Sequence, residues 1–393
     1  MARSAAVLNA PPDIPSTHYV DNQIYTNERI FQLENERLHS KIWKCVAHVS
    51  EIAEPFDFRT VTVAGVPLVI LRNKDGELKA FVNVCSHRGV QVETRPAGNA
   101  KSFQCKFHLW TYNTKGACVG MPRGEAYEPC GLSKKDLGLK EVRIGEVKGL
   151  VFVNLDDDAI SLEEFVGDSL ELVADIFDNQ ELEVFHYHEQ ILDTNWKNWQ
   201  ETNMELYHEY LHVLNRHTSL EKDAYFARKW HTYDHGHCGI EPYVVDYENY
   251  EGMKARSDLA FKGLQASEFR LVDLFPDLLV LCRSTVVRLD QQEPIAPGKT
   301  KVIYRALGVK GEPAADRRQR ARDNAEFWGP FGRNLPEDMV VCEAQTKAMS
   351  EITGGYTIWA REEDNKTQDD VGIRNYFQEW SRLMDIDPAN PEV

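Results

Sequence analysis

No stretch of the 393 residues stays apolar for the roughly 18 positions that a membrane-spanning helix needs. The opening MARSAAVLNAPPDIPS has no apolar run of the secretory kind, and its prolines make a leader peptide unexpected. Basic charge is scarce. Lys and Arg number 45 against 62 Asp and Glu, a net charge of −17, which argues against non-specific binding to a phosphate backbone. There is no P-loop, no glycine-rich dinucleotide fingerprint after a strand and no Ser-His-Asp signature. A nicotinamide or flavin site is therefore not expected in this chain. Internal repeats and low-complexity tracts are also missing. These absences leave a cytoplasmic globular protein as the expectation, with neither a nucleic acid nor a membrane as partner.

What is present is ordinary in bulk and unusual in detail. The residues are 42% hydrophobic and 27% charged, enough for a sizeable core. The length suggests two or three domains, or one large fold with an insertion. In a reducing compartment the eight cysteines read as metal or redox groups when they pair with histidine.

After a loose arm, the spacing of Ile30, Leu33, Leu38 and Ile42 predicts a surface helix over 27–42. A β-rich stretch follows, with a hairpin turn at Asp75-Gly76, and continues to GLVFVNLDDD at 149–158. After Ser161 the pattern turns helical, with Ser161 and Glu164 spaced as a capping box. EVFHYHEQIL then reads as a strand, and a long helix is expected from Asn195 to about Leu214. Later strands include LLVLCRSTVVRLDQQ and TKVIYRALGV, with helices near 315–350 and 370–385. The predicted class is α+β: a small β domain at 43–155 and a larger domain at 156–393, with residues 1–42 packing on the latter.

Two clusters carry chemistry. The first is Cys85-x-His87, a gap of seventeen, then Cys105-x-x-His108. A lone Cys or His is more often core or surface than ligand, but four at this spacing on loops after strands are hard to obtain by chance. Structural zinc sites usually pair Cys with Cys and His with His. One of each per loop suits an iron–sulfur cluster in which one iron keeps two thiolates and the other takes two imidazoles. The loops CSHRG and CKFHLWTYNTKG resemble those of Rieske [2Fe–2S] domains, with Leu109 where relatives usually have Gly. The resemblance implies Cys85 and Cys105 on one iron, and His87 and His108 on the other.

The second cluster lies in NWKNWQETNMELYHEYLHVLNRHT, residues 195–218. On one helix Glu205, His208 and His212 fall at i, i+3 and i+7, a single face. A solvated polar face is the bland alternative. Two imidazoles a turn apart plus a distant carboxylate would instead form the 2-His-1-carboxylate arrangement of non-haem iron. Asp338, in WGPFGRNLPEDMVVCEAQ, is such a carboxylate. The other histidines, including the HTYDHGHC stretch, are read as structural or as a solvated loop.

The whole chain is similar to the α subunits of Rieske non-haem iron oxygenases, the aromatic-ring-hydroxylating family. The matching residues are Asn195-Trp196-Lys197, Glu201, Glu205, His208, His212, Glu337-Asp338 and Glu343, together with the opening and closing helices. The gap between the histidines is three residues where the family has four or five, which makes His217 a second candidate, and Thr202 stands where relatives often have Asn.

The resemblance implies a mononuclear iron on His208, His212 and Asp338, O2 as co-substrate, and Glu205 as a carboxylate bridge between subunits of a head-to-tail trimer. It further implies a helix-grip-like catalytic domain, NAD(P)H acting only through a separate reductase and sometimes a ferredoxin, and in some members a small β subunit. The expected reaction is mono- or dihydroxylation of an aromatic substrate, an aromatic acid first, with Asn198, Asn203 and Met204 as pocket residues. A demethylase-type monooxygenase, a pure electron carrier and a zinc-stapled scaffold are the alternatives.

Overall fold

The computed structural model describes residues 10–216, 223–245, 259–352 and 354–392. It divides into two compact units, His39–Leu162 and Met1–Leu38 with Glu163–Val393. The helical segment that opens the chain thus belongs mostly with the second unit.

The smaller unit is built from strands β1 (Lys44–His48), β2 (Asp57–Val63), β3 (Val66–Arg72), β4 (Leu78–Val82), β5 (Ala97–Asn99), β6 (Ser102–Gln104), β7 (Thr111–Asn113), β8 (Cys118–Gly120), β9 (Glu141–Val147) and β10 (Leu150–Asn154). Seven pair antiparallel in the order β1-β10-β9-β4-β3-β2-β5, and β6-β7-β8 form a second sheet. The turns follow from residue type. Ala64 and Gly65 both sit at positive φ, 48° and 76°, the two-residue hairpin whose twist matches its strands. At Asn73–Gly76 the Asn73 Oδ1 accepts the N–H of Asp75 (2.9 Å) and of Glu77 (3.0 Å). Between the strands Phe58, Phe81, Phe103, Trp110 and Tyr112 make a core that also encloses Cys85 and Cys105.

The larger unit is organised by β11 (Leu182–Leu192), β12 (Trp230–Thr232), β13 (Cys238–Val244), β14 (Glu268–Leu274), β15 (Leu278–Arg283), β16 (Val287–Ala296) and β17 (Lys299–Val309). These pair antiparallel in the order β11-β17-β16-β15-β14-β13-β12. Helices α1 (Trp196–Asn203), α2 (Leu335–Glu351) and α3 (Val371–Met384) belong to the same unit. Trp199 of α1 and Leu335, Met339 and Cys342 of α2 pack with Leu192, Val302 and Tyr304 of the sheet. The class is α+β, with an antiparallel sheet packed by helices.

The NWK motif proves to be an anchor. Asn195 caps α1 by accepting the Lys197 N–H, while its Nδ2 donates to the carbonyls of Tyr25 (2.8 Å) and Pro297 (2.7 Å). Lys197 Nζ (2.6 Å), Trp196 Nε1 (2.9 Å) and Trp380 Nε1 (2.9 Å) all donate to the buried Glu34 carboxylate. Glu34 lies where the opening helix changes from α (Glu28–Leu33) to π (Glu34–His39). One carboxylate therefore ties the Glu28–His39 helix to α1 and α3.

Three expectations need correction. The helix drawn from Asn195 to Leu214 stops at Asn203. A 3-10 turn at Tyr207–Tyr210 and a short helix at Val213–Arg216 follow. The break has a local cause: Glu205 Oε2 accepts the N–H of Tyr207 (2.7 Å) and of His208 (3.1 Å), donors that a continuous helix would direct to carbonyls. The stretch after Ser161 is likewise not one helix but Leu162–Val166, Glu171–Val173 and Ala174–Asp178.

HTYDHGHC is no solvated loop either. It crosses from β12 into β13, and His237 is buried. Its Nδ1 accepts the Phe275 N–H (2.8 Å) and its Nε2 donates to the Phe165 carbonyl (2.8 Å), which defines a neutral ring. Burial drops its pKa to about 4. The unfolded chain then binds a proton that the folded one refuses, so stability is complete above about pH 6.5 and falls as pH drops toward 4. The expected loss approaches about 3 kcal/mol at the acid end of that window. Urea midpoints between pH 7 and 4.5 check this; a His237→Gln protein should show the flatter slope, and identical slopes would discard the assignment.

Candidate metal centres

The two Cys-His loops are built alike. Cys85 N–H donates to the Val90 carbonyl and Cys105 N–H to the Trp110 carbonyl, each at 2.8 Å. Inside each turn the fifth residue returns its N–H to the cysteine carbonyl at 3.0 Å, from Gly89 and from Leu109. Both fifth residues are left-handed, with φ of 73° and 59°. Glycine takes that conformation freely, whereas leucine is strained there by about 1–2 kcal/mol. The Leu109 side chain escapes crowding by pointing outward, half exposed. The ligand candidates converge. The rings of His87 and His108 lie 4.6 Å apart, and His87 stacks on Trp110 at 4.7 Å. Cys85 and Cys105 are buried beneath, with the Tyr112 hydroxyl 3.2 Å from Cys85 Sγ. His87 Nδ1 is buried without a hydrogen-bond partner, as a metal-directed nitrogen must be in the absence of its metal.

In the larger unit His208, His212 and Asp338 bring their ligand atoms within 4.8 Å of one another, the one such group among the described residues. Asp338 Oδ1 lies 3.3 Å from His212 Nε2 and 3.7 Å from His208 Nε2. Each imidazole has its other nitrogen held by a carboxylate: His208 Nδ1 by Glu205 (2.9 Å) and His212 Nδ1 by Glu337 (2.9 Å). That fixes both tautomers and leaves both Nε2 atoms free to face Asp338. Asp338 Oδ1 is buried and has no hydrogen-bond donor. Burial would depress His208, but the Glu205 carboxylate and then Asp338 lift it to about 10. Burial raises Asp338 despite both histidines. Two imidazoles, each backed by a carboxylate, and one undonated carboxylate oxygen fit a divalent iron. The break after Asn203 also explains the three-residue gap, because the ligands sit on a 3-10 turn and the connection after it. His217 lies outside the described residues.

The remaining candidates are placed as follows. Asn203 lines the cleft beside the triad, together with Thr202, Leu206, Glu209, Arg283 and Arg288. Asn198 and Met204 do not: Asn198 is turned to Thr346 of α2 (2.9 Å), and Met204 is fully buried. Glu343 accepts the Asp193 N–H (3.1 Å) and Glu201 the Tyr25 hydroxyl (2.6 Å), so neither reaches the triad. Thr202 Oγ1 donates to the Asn198 carbonyl one helical turn back. Sequence reasoning did not foresee Glu337 as the partner of His212, although it sits beside Asp338. It also missed the cleft arginines, which carry no motif. The cleft is narrow, about 50 Å³. A larger cavity of about 500 Å³, beside Thr17–Val20 and α3, contains none of the triad.

Residues 42–143 match the Rieske [2Fe-2S] domain and residues 178–385 the catalytic domain of the ring-hydroxylating alpha subunit. The chain belongs to the ring-hydroxylating oxygenase α subunits. It is 51% identical to the 2-aminobenzenesulfonate 2,3-dioxygenase subunit alpha of Alcaligenes sp over 98% of each chain. It is 37% identical to the methanesulfonate monooxygenase hydroxylase subunit alpha of Methylosulfonomonas methylovora, over 100% of this chain and 97% of that one. Among solved structures, naphthalene 1,2-dioxygenase from Rhodococcus sp. bound to indole superposes with a TM-score of 0.77 at 23% identity, covering 93% and 94% of the two chains. This oxygenase is thus an oxidoreductase with a Rieske [2Fe–2S] cluster and a mononuclear iron, and family members receive electrons through a reductase and ferredoxin. No helix among the described residues is long and apolar enough to cross a membrane.

The pair of histidine partners gives a direct expectation. Glu337→Gln removes the carboxylate that orients His212, and Fe(II) affinity should fall about 10–100-fold with the cluster intact. Competition with a chelator under nitrogen measures it. Unchanged affinity would mean that Glu337 only decorates the α2 terminus.

Proposed function

We propose that this chain is the catalytic subunit of a terminal oxygenase that hydroxylates a small organosulfonate, an aromatic one first. The supporting observation is the 51% identity to a 2-aminobenzenesulfonate dioxygenase subunit over nearly the full length of both chains. The cluster would be held by Cys85, Cys105, His87 and His108, and the mononuclear iron by His208, His212 and Asp338. When bound, the iron supplies O2 activation. The chain's own residues hold and orient the ligands: Glu205 and Glu337 keep the Nδ1 protons, and Phe269, Leu271, Leu279 and Leu281 exclude water from the cleft. We further propose a head-to-tail trimer, with or without a small β subunit, in which Glu205 bridges to His108 of the neighbouring copy.

The test is turnover with a reductase and ferredoxin under 18O2. Loss of 2-aminobenzenesulfonate with two labelled atoms in the product supports the reading. No O2 uptake coupled to any organosulfonate would overturn it. The narrow cleft favours one second reading, monooxygenation of an alkanesulfonate, which would leave a single labelled atom.

A further inference from the structure

Two arginines line the cleft beside the triad, and among the described residues only Arg288 has a carboxylate partner. Arg288 Nε lies 2.9 Å from Asp290 Oδ1, and its Nη1 donates to the Trp328 carbonyl at 2.7 Å. Arg283, at the end of β15, has no carboxylate and no side-chain hydrogen bond among the described residues, and its Nε is buried without a partner. Its guanidinium lies 4.0 Å from the centre of the Phe269 ring and 4.6 Å from that of Trp328. Phe269 is directly opposite in the sheet register. The two rings fix the fork in place at little entropic cost while supplying no counter-charge. A partly buried guanidinium with no carboxylate within 4 Å among the described residues leaves its fork open to an incoming anion, although Glu209 and Asp338 line the same cleft.

We propose that Arg283 is the anion anchor of this cleft: its guanidinium pairs with the sulfonate of the substrate and so sets charge specificity. The pairing is planar and forked, a geometry that suits two oxygens of a sulfonate better than an ammonium would. The aliphatic side chains of Leu271, Leu279 and Leu281 line the same cleft and suit the rest of the substrate. This rests on the reading that the substrate is an organosulfonate.

The experiment is calorimetric titration of the iron-loaded enzyme, under nitrogen, with 2-aminobenzenesulfonate and with its neutral isostere 2-aminobenzenesulfonamide. Arg283→Gln should weaken sulfonate binding about 30-fold while sulfonamide binding changes by less than about 2-fold. Arg283→Lys should recover part of the difference, because the charge returns without the fork. Iron content and the cluster's visible spectrum serve as controls for folding. Equal losses for both ligands, or no loss for the sulfonate, would overturn the anchor while leaving the function standing. A wild-type protein that binds the sulfonamide but not the sulfonate would overturn the function, and the anchor with it.

Discussion

Asp338→Ala protein, purified under nitrogen, is expected to contain about two irons and two acid-labile sulfides per chain, where the parent contains about three and two. Its visible spectrum should remain that of the cluster, and hydroxylation should fall below detection. Asp338 is the carboxylate whose oxygen meets both histidine Nε2 atoms, and no donor occupies that oxygen. Without it two neutral imidazoles remain, too few for a hard divalent ion in competition with water. Glu337 is the nearest substitute in sequence, but it already accepts from His212 Nδ1, on the far side of that ring. A third iron retained in the variant would mean that another carboxylate completes the site. In the metal-free parent the Glu205 carboxylate and then Asp338 raise the pKa of His208 to about 10, so a proton competes with iron for its Nε2. Fe(II) loading should therefore release protons and weaken as pH falls.

Much of this was legible in the sequence because the chemistry is written in short range. Cys85-x-His87 and Cys105-x-x-His108 fall on two turns with the same hydrogen bonds, so the local spelling nearly dictates the local structure. The strands of the smaller unit were readable for a similar reason, because Ala64-Gly65 and Asn73–Gly76 take their turns from their own residue types. The second cluster was found on an incorrect premise. His208 and His212 were placed on one face of one helix, yet they meet Asp338 because Glu205 ends that helix and starts a tighter turn. Helical periodicity cannot register a side chain that competes for backbone donors. HTYDHGHC misled in the opposite way: its polar letters conceal a histidine buried between the Phe165 carbonyl and the Phe275 amide, partners 72 and 38 residues away. Arg283 and Arg288 had no local signal, since their role depends on which strands lie beside the triad.

Glu205 carries the other large effect. Glu205→Ala should keep the cluster's spectrum and lower turnover by at least about 100-fold. The carboxylate has three internal duties: Oε1 takes the His208 Nδ1 proton, and Oε2 takes the N–H of Tyr207 and of His208. Against burial, the His208 imidazole and then Arg361, whose Nη2 lies 3.7 Å from Oε2, keep the group ionised. About a fifth of the side chain remains exposed, which leaves the carboxylate open to a donor arriving from outside. A neighbour's His108 is the donor that the proposed trimer would supply. Two variants separate holding the turn from carrying electrons. Alanine removes all three hydrogen bonds and should loosen both the turn and the iron. Glutamine keeps its carbonyl oxygen for the backbone donors but presents an amide to the His208 Nδ1 proton. It should bind iron within about 10-fold of the parent and still fail to pass electrons. The decisive readout is a single turnover: reduce the cluster, add substrate and O2, and follow the return of its visible absorbance. Slow return in Glu205→Gln with iron in place supports the bridge. Return at the parent's rate would confine Glu205 to shaping the turn and would route the electron through other groups.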